Sequence, residues 1–225
     1  MTDPVEAVLF DIDDTICTYR QTIADVLDVA FDRAGVDPFF TAADYRARFP
    51  EFAAASDGVR ELRAKCFASF ATDAGHDPSV GRAVAGAYAD ERDHAQVHLT
   101  DGAGDALDHA TEHYRVAAVT NGPPEMQGQK LEALGIRDRF ETVVHGGYDA
   151  PAKPDPAPFR RALSVLETAP ARTVHVGNSL DSDVAGAHAA GLRSAWLPDG
   201  ATGDPDPRPD YTLDTLADLT DPPWR

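Results

Sequence analysis

Asp11 and Asp13 have the type and spacing most suited to chemistry: with Asp14 they put three carboxylates within four positions, directly after the apolar run Val8-Leu9-Phe10. A buried strand gains nothing in packing by opening into such a loop. Alternation along an extended chain predicts Asp11 and Asp13 on one side and Asp14 on the other. Two carboxylates brought that close repel each other unless a cation or a shared proton intervenes. The competing reading is a solvated acidic turn. What separates the two is whether other segments bring a cation, a hydroxyl and further oxygens to the same place.

Three later segments carry such groups, two directly after an apolar run and one, with Lys153, further beyond the run that ends at Val144. Thr120-Asn121-Gly122 follows Val116-Ala117-Ala118-Val119; Lys153 lies in Pro151-Ala152-Lys153-Pro154; and Gly177-Asn178-Ser179, with Asp181 and Asp183, follows Val174-His175-Val176. Taken singly, Thr120-Asn121-Gly122 is an ordinary turn and Lys153 an ordinary surface charge. Lysine is scarce, however: the chain has 3 Lys against 17 Arg, and 29 Asp against 9 Glu, so Lys65, Lys130 and Lys153 each stand out. His145 and His175 lack a third His or Cys at metal-binding spacing and are expected to pack. Asp181 is expected to cap the following helix on its solvent side, and Cys17 to be a small buried side chain.

The elements that must position these groups alternate. Strands are expected over 5–10, 115–120, 140–144, 173–176 and 194–197, and helices over 101–113, 125–134, 156–167 and 181–190, with a last short strand and helix over 211–219. Such alternation implies βαβ crossovers and a mostly parallel sheet with helices on both faces, a Rossmann-like α/β core. Ligands bind such sheets beyond the carboxyl ends of the strands, where all four polar segments fall. Between residues 20 and 95 no strand is expected. Helices are expected instead over 22–34, closed by Gly35, from Thr41 to Arg48, from Asp57 to Asp73 and from Pro78 to His94. The expected division is therefore a core of residues 1–17 and 98–225 interrupted by an inserted α-helical domain, 18–97.

Four segments in this order resemble the four motifs of the haloacid dehalogenase-like (HAD) hydrolase superfamily: D-x-D-x-T at Asp11 to Thr15, a strand-closing Thr120, Lys153, and G-N-x-x-x-x-D from Gly177 to Asp183. With the inserted helices, which resemble that superfamily's small helical cap, the resemblance covers nearly the whole chain. It implies a phosphatase in which Asp11 is the nucleophile that forms an aspartyl-phosphate. Asp13 is then the acid that protonates the leaving oxygen and the base that activates water. Thr120 and the Asn121 backbone amide would hold phosphoryl oxygens, and Lys153 would supply positive charge to the phosphate and the nucleophile. Mg²⁺ is the implied cofactor, with Asp11, the Asp13 backbone carbonyl and Asn178 as ligands; Asp183 either touches the metal or holds a group that does. Thr15 is expected to hold the loop. In the cap, Tyr19 and Arg20 lie at one hinge and residues 97–101 at the other, while Arg46, Arg48, Arg63 and Lys65 are of the type to meet an anionic substrate.

Asn178 is a departure, because the superfamily more often has Asp there. Its dehalogenases also carry Asn nearby, so 2-haloacid dehalogenation is the rival reading; they lack an acid two positions past the nucleophile, where this chain has Asp13. Phosphomutase activity, or binding of a phosphate ester without catalysis, is also compatible with the four motifs. The substrate expected is a small phosphorylated metabolite.

Composition bounds the partners. A formal charge of -18 over 225 residues repels nucleic acid and anionic membranes, so neither is expected as a partner. No apolar run approaches the roughly 18 residues of a membrane span, and the start of the chain has no signal pattern. Two cysteines fit a reducing compartment, so a cytoplasmic protein is expected. The acidic residues are spread evenly rather than in blocks, as in adaptation to a salt-rich, halophilic cytoplasm, where a Debye length of about 3 Å at 1 M screens self-repulsion. A unit charge pair about 4 Å apart is worth roughly 4 kcal/mol at an effective dielectric of 20, so local cations can outweigh that distant surface.

Overall fold

The computed structural model describes residues 3–49, 51–52, 58–198, 200 and 204–225. The chain divides into two compact units, Met1–Thr18 with Val97–Arg225, and Tyr19–Gln96.

The first unit is built on a six-stranded sheet: β1 (Ala7–Phe10), β4 (Arg115–Thr120), β5 (Thr142–His145), β6 (Thr173–Gly177), β7 (Arg193–Trp196) and β8 (Tyr211–Thr212), in the order β5-β4-β1-β6-β7-β8. Every pairing is parallel, with Phe10 beside Ala118 on one side and Val176 on the other. The order reverses at β1, so the loop that follows it opens at the sheet's switch point.

The sheet's central strands are buried on both faces, which is why their sequences are almost continuously apolar. Val8, Phe10, Val116 and Ala118 pack with Ala106 and Leu107 of α5 (Ala103–His113) and with Leu131 of α6 (Pro124–Ala133). Ala7, Leu9, Ala117 and Val119 face the other way, against Phe159 and Leu163 of α7 (Ala157–Leu166) and Ala187 of α8 (Ala185–Ala190).

The second unit is helical. It contains α1 (Ile23–Ala34), α2 (Ala42–Arg48), α3 (Val59–Asp73) and α4 (Pro78–Glu91) around Phe31, Phe40, Phe67, Phe70 and Tyr88. Thr22 with Asp25 and Thr41 with Asp44 form capping boxes that fix the first two helix starts, and Gly35 at φ 67° ends α1 in the left-handed conformation. The expected start of the third helix at Asp57 lies outside the described residues. Arg48 pairs with Asp73 and stacks on Phe70, Lys65 pairs with Glu61, and Arg63 is buried, bonding the Tyr45 hydroxyl and lying over the Tyr88 ring. Arg46 is exposed.

One element was not expected and others need correction. A two-stranded ribbon, β2 (Cys17–Tyr19) with β3 (Val97–Leu99), stands where the chain leaves and re-enters the first unit; three-residue strands are too short to show periodicity. The segment expected as one helix from Asp181 begins instead with a π-turn, Leu180–Val184, before α8. Its cap is the Ser179 hydroxyl, which accepts from the Ser182 amide at 3.2 Å, and not Asp181, which is exposed. The last helical element is a 3₁₀ turn, Leu216–Thr220. No described helix is long and apolar enough to cross a membrane.

Candidate active site

Asp11 leaves the end of β1 with its amide tied to the Val176 carbonyl of β6 at 2.9 Å. The extended chain stops there. Ile16 and Cys17 amides both return to the Ile12 carbonyl, and Asp14 takes φ 56°, so residues 12–17 form one tight turn. Strand alternation therefore does not orient the carboxylates beyond Phe10; the turn does. Thr100 secures it from outside by donating its hydroxyl to the Thr15 carbonyl at 2.5 Å. The Asp14 side chain accepts from the Thr18 hydroxyl just past the turn.

Lys153 joins the other strand ends to Asp11. Its ammonium donates to Asp11 Oδ1 at 2.6 Å, to Asp183 Oδ1 at 2.6 Å and to the Val119 carbonyl at 2.8 Å, which uses all three of its protons. Asn121 fixes the loop that carries it: the Asn121 side chain accepts from the Lys153 amide at 2.8 Å and donates to the Lys153 carbonyl at 3.0 Å. Nothing in the sequence announces this use of the Asn121 side chain, since a turn asparagine ordinarily bonds its own neighbours.

Asp183 is buried and fully engaged. Oδ1 also accepts from His175 Nε2 at 3.0 Å, and Oδ2 from the Ser179 amide at 3.0 Å. Gly177 makes room for it, because a Cβ there would lie 2.3 Å from the Asp183 carboxyl carbon. Burial opposes the charge on Asp183, but Lys153 and the His175 hydrogen bond outweigh it and hold the group well below the usual carboxylate range. Burial lowers the pKa of His175, against the opposing pull of Asp183.

Asp11 differs. Burial pushes its pKa up to about 7, against the pull of Lys153 and with the repulsion of Asp183. Of the two carboxylates that share one ammonium, Asp183 thus keeps the ionised form more firmly. Burial also works against the charge on Lys153, yet the two carboxylates prevail and raise its pKa.

Thr120 is buried at the end of β4. Its hydroxyl oxygen accepts from the Gly122 amide at 3.1 Å and from Gln127 Nε2 at 3.3 Å, and it donates to no described group. The hydroxyl proton is therefore left to point at whatever occupies the site.

Asp13 turns toward α6. Lys130 pairs with Oδ1, and Gln127 Nε2 donates to Oδ2 at 2.6 Å. Sequence reasoning assigned neither residue a role. The available signal was the scarcity of lysine together with Gln127 and Lys130 three positions apart, on one helix face.

The oxygen atoms that remain suit a hard cation. Thr15, fully buried, places its hydroxyl 3.5 Å from Asp11 Oδ2 and 3.4 Å from Asn178 Oδ1, so the two oxygens lie around one hydroxyl, and among the described residues neither has a closer partner. Asn178 is oriented through its carbonyl, which accepts from Trp196 Nε1 at 2.8 Å. Among the described residues no group of three or more His, Cys, Asp or Glu gathers in metal-holding geometry. A cation here would depend on Asp11 and Asn178 oxygens with backbone carbonyls and water, a donor set acceptable to Mg²⁺. His145 is half-buried, with Nδ1 3.1 Å from the Gly122 carbonyl, and Cys17 is buried and free.

Known proteins resemble this chain in sequence or in fold. The phosphoserine phosphatase of Thermus thermophilus is 27% identical over 250 aligned positions covering 96% of this chain and 98% of its own. The ribulose-1,5-bisphosphate 5-phosphatase of Halopiger xanaduensis is 27% identical over 238 positions, with the same coverage of 96% and 98%. Among solved structures, the HAD-hydrolase YfnB of Bacillus subtilis bound to magnesium has a similar fold, with a TM-score of 0.74 and 22% identity over 96% of this chain and 97% of that one. The profile of the haloacid dehalogenase-like hydrolases matches residues 5–191, and the chain belongs to that family.

Proposed function

We propose that this hydrolase is a Mg²⁺-dependent phosphatase that cleaves a small soluble phosphomonoester, such as a sugar phosphate, phosphoglycolate or a nucleotide monophosphate, through a phosphorylated Asp11. The observation that carries the reading is the Lys153 ammonium held 2.6 Å from both Asp11 and Asp183, beside a Thr120 hydroxyl with its proton uncommitted. Two relatives aligned over nearly their whole length are phosphatases of small phosphorylated metabolites.

In this mechanism Asp11 attacks phosphorus, which divides one difficult displacement into two easier ones. Asp13 gives a proton to the departing oxygen and then takes one from the water that releases phosphate. Thr120 donates to a phosphoryl oxygen, joined by the Asn121 amide. Lys153 contributes charge and fixes Asp11; since its three protons are already placed, it acts on phosphate through its field more than through a new bond. Asp11, the Asp13 carbonyl and Asn178 would hold Mg²⁺, with Asp183 next to them holding Lys153. The metal would offset the repulsion between carboxylate and phosphate.

A panel of phosphomonoesters assayed with and without Mg²⁺ in high salt tests this. The expected result is Mg²⁺-dependent release of inorganic phosphate from at least one ester, abolished by Asp11→Asn. Release of halide from a 2-haloacid in the presence of chelator would replace the reading with dehalogenation.

A further inference from the structure

The bracket around Asp13 is stronger than an ordinary surface contact requires. The Lys130 side chain is 1% exposed, while its partner Asp13 is 42% exposed. A surface ion pair joins two solvated groups and contributes little. Burying an ammonium is costly unless it is held by an opposite charge, so the fold accepts that cost to direct a cation at one half-exposed carboxylate. Gln127 is fully buried, and its Nε2 spans Asp13 Oδ2 at 2.6 Å and Thr120 Oγ1 at 3.3 Å while its Oε1 has no described partner. A Cβ at position 122 would lie 1.7 Å from that Nε2, so Gly122 is what lets Gln127 reach. Both oxygens of Asp13 are thus fixed from α6, and one of the two fixing groups also orients Thr120.

We propose that Lys130 and Gln127 are positioning residues that hold the Asp13 carboxyl in place for proton transfer. The inference rests on Asp13 being the acid of the reading above. In the first step an Asp11 oxygen bonds to phosphorus, the bond from phosphorus to the leaving oxygen breaks, and the Asp13 proton passes to that oxygen. In the second, the oxygen of water bonds to phosphorus, its proton goes to Asp13, and the bond between Asp11 and phosphorus breaks, so Asp13 ends the cycle as it began. A carboxyl fixed at both oxygens meets the leaving group without a search over rotamers.

Leaving-group dependence tests the proposal, because an alkoxide needs the proton and 2,4-dinitrophenolate does not. The quantity is kcat/KM, which covers binding and phosphorylation of Asp11 but not the later hydrolysis, for an alkyl phosphomonoester and for 2,4-dinitrophenyl phosphate. In Lys130→Met the loss on the alkyl ester is expected to exceed the loss on the dinitrophenyl ester by at least about tenfold, in the same sense as for Asp13→Asn. Gln127→Leu carries the same expectation and serves if Lys130→Met does not fold. Equal losses on both esters in these variants, with a clear split in Asp13→Asn, would overturn the proposal and leave Asp13 as the acid. The absence of a split in Asp13→Asn itself would overturn the acid reading, and the proposal with it.

Discussion

Lys153 Nζ and Asp11 Oδ1 lie 2.6 Å apart, both buried, across 142 residues of sequence. The ammonium also holds Asp183 and the Val119 carbonyl, so Asp11 rests against a cation that cannot turn away. Lys153→Met would leave two buried carboxylates without their shared counter-ion. Losing one partner of such a buried pair costs about 3–5 kcal/mol, and losing a fixed charge at a reacting centre costs roughly 100-fold or more in turnover. Urea denaturation and phosphate release check both. Unchanged values would place the lysine outside the site.

The raised pKa of Asp11 gives a pH dependence with a definite sign. With a folded value of about 7 above the ordinary 3.8, the group's contribution to stability is present in acid and is lost as pH rises through neutrality. In chelator, Asp11→Asn should therefore gain on the wild type in melting temperature as pH rises from about 5 to 8. Calorimetry across that range checks this. A difference that stays constant, or shrinks, contradicts it.

Asn178 offers a neutral oxygen where a carboxylate would bind a cation more tightly. Asn178→Asp should lower the Mg²⁺ concentration for half-maximal activity by roughly tenfold, since ligand charge sets much of the affinity of oxygen sites. A titration of activity against Mg²⁺ measures it. An unchanged half-saturation point would remove residue 178 from the metal's surroundings.

The four strand ends were legible in the sequence because parallel strands buried on both faces read as apolar runs, and the polar residues that end them have no packing reason to be there. Asp11 and Thr120 fall at such ends, while Lys153 and Asp183 lie in the segments that follow β5 and β6. The partners of Asp13 were not legible. A lysine and a glutamine on a polar-looking helix read as solvated, and only the tight turn at residues 12–17 shows that Asp13 faces them. The three-residue ribbon and the π-turn escaped for a related reason: both are shorter than the periods by which elements are recognised.

The net charge of -18 sets a prediction independent of the site. Self-repulsion of the acidic surface should make the melting temperature rise by several degrees between about 0.1 and 2 M KCl, as the screening length shortens. Thermal scans at constant pH and Mg²⁺ check it. A flat or falling curve would separate the acidic composition from any adaptation to salt.

The central claim is that Asp11 carries the phosphoryl group. The most direct measurement is to quench turnover of p-nitrophenyl phosphate in Mg²⁺ with acid, reduce with borohydride, and sequence the peptide containing residue 11 by tandem mass spectrometry. The account predicts homoserine at position 11, the product of reducing an aspartyl-phosphate, and none in samples quenched without substrate. Active release of phosphate with residue 11 recovered only as aspartate, or with the reduced residue elsewhere in the chain, would contradict it.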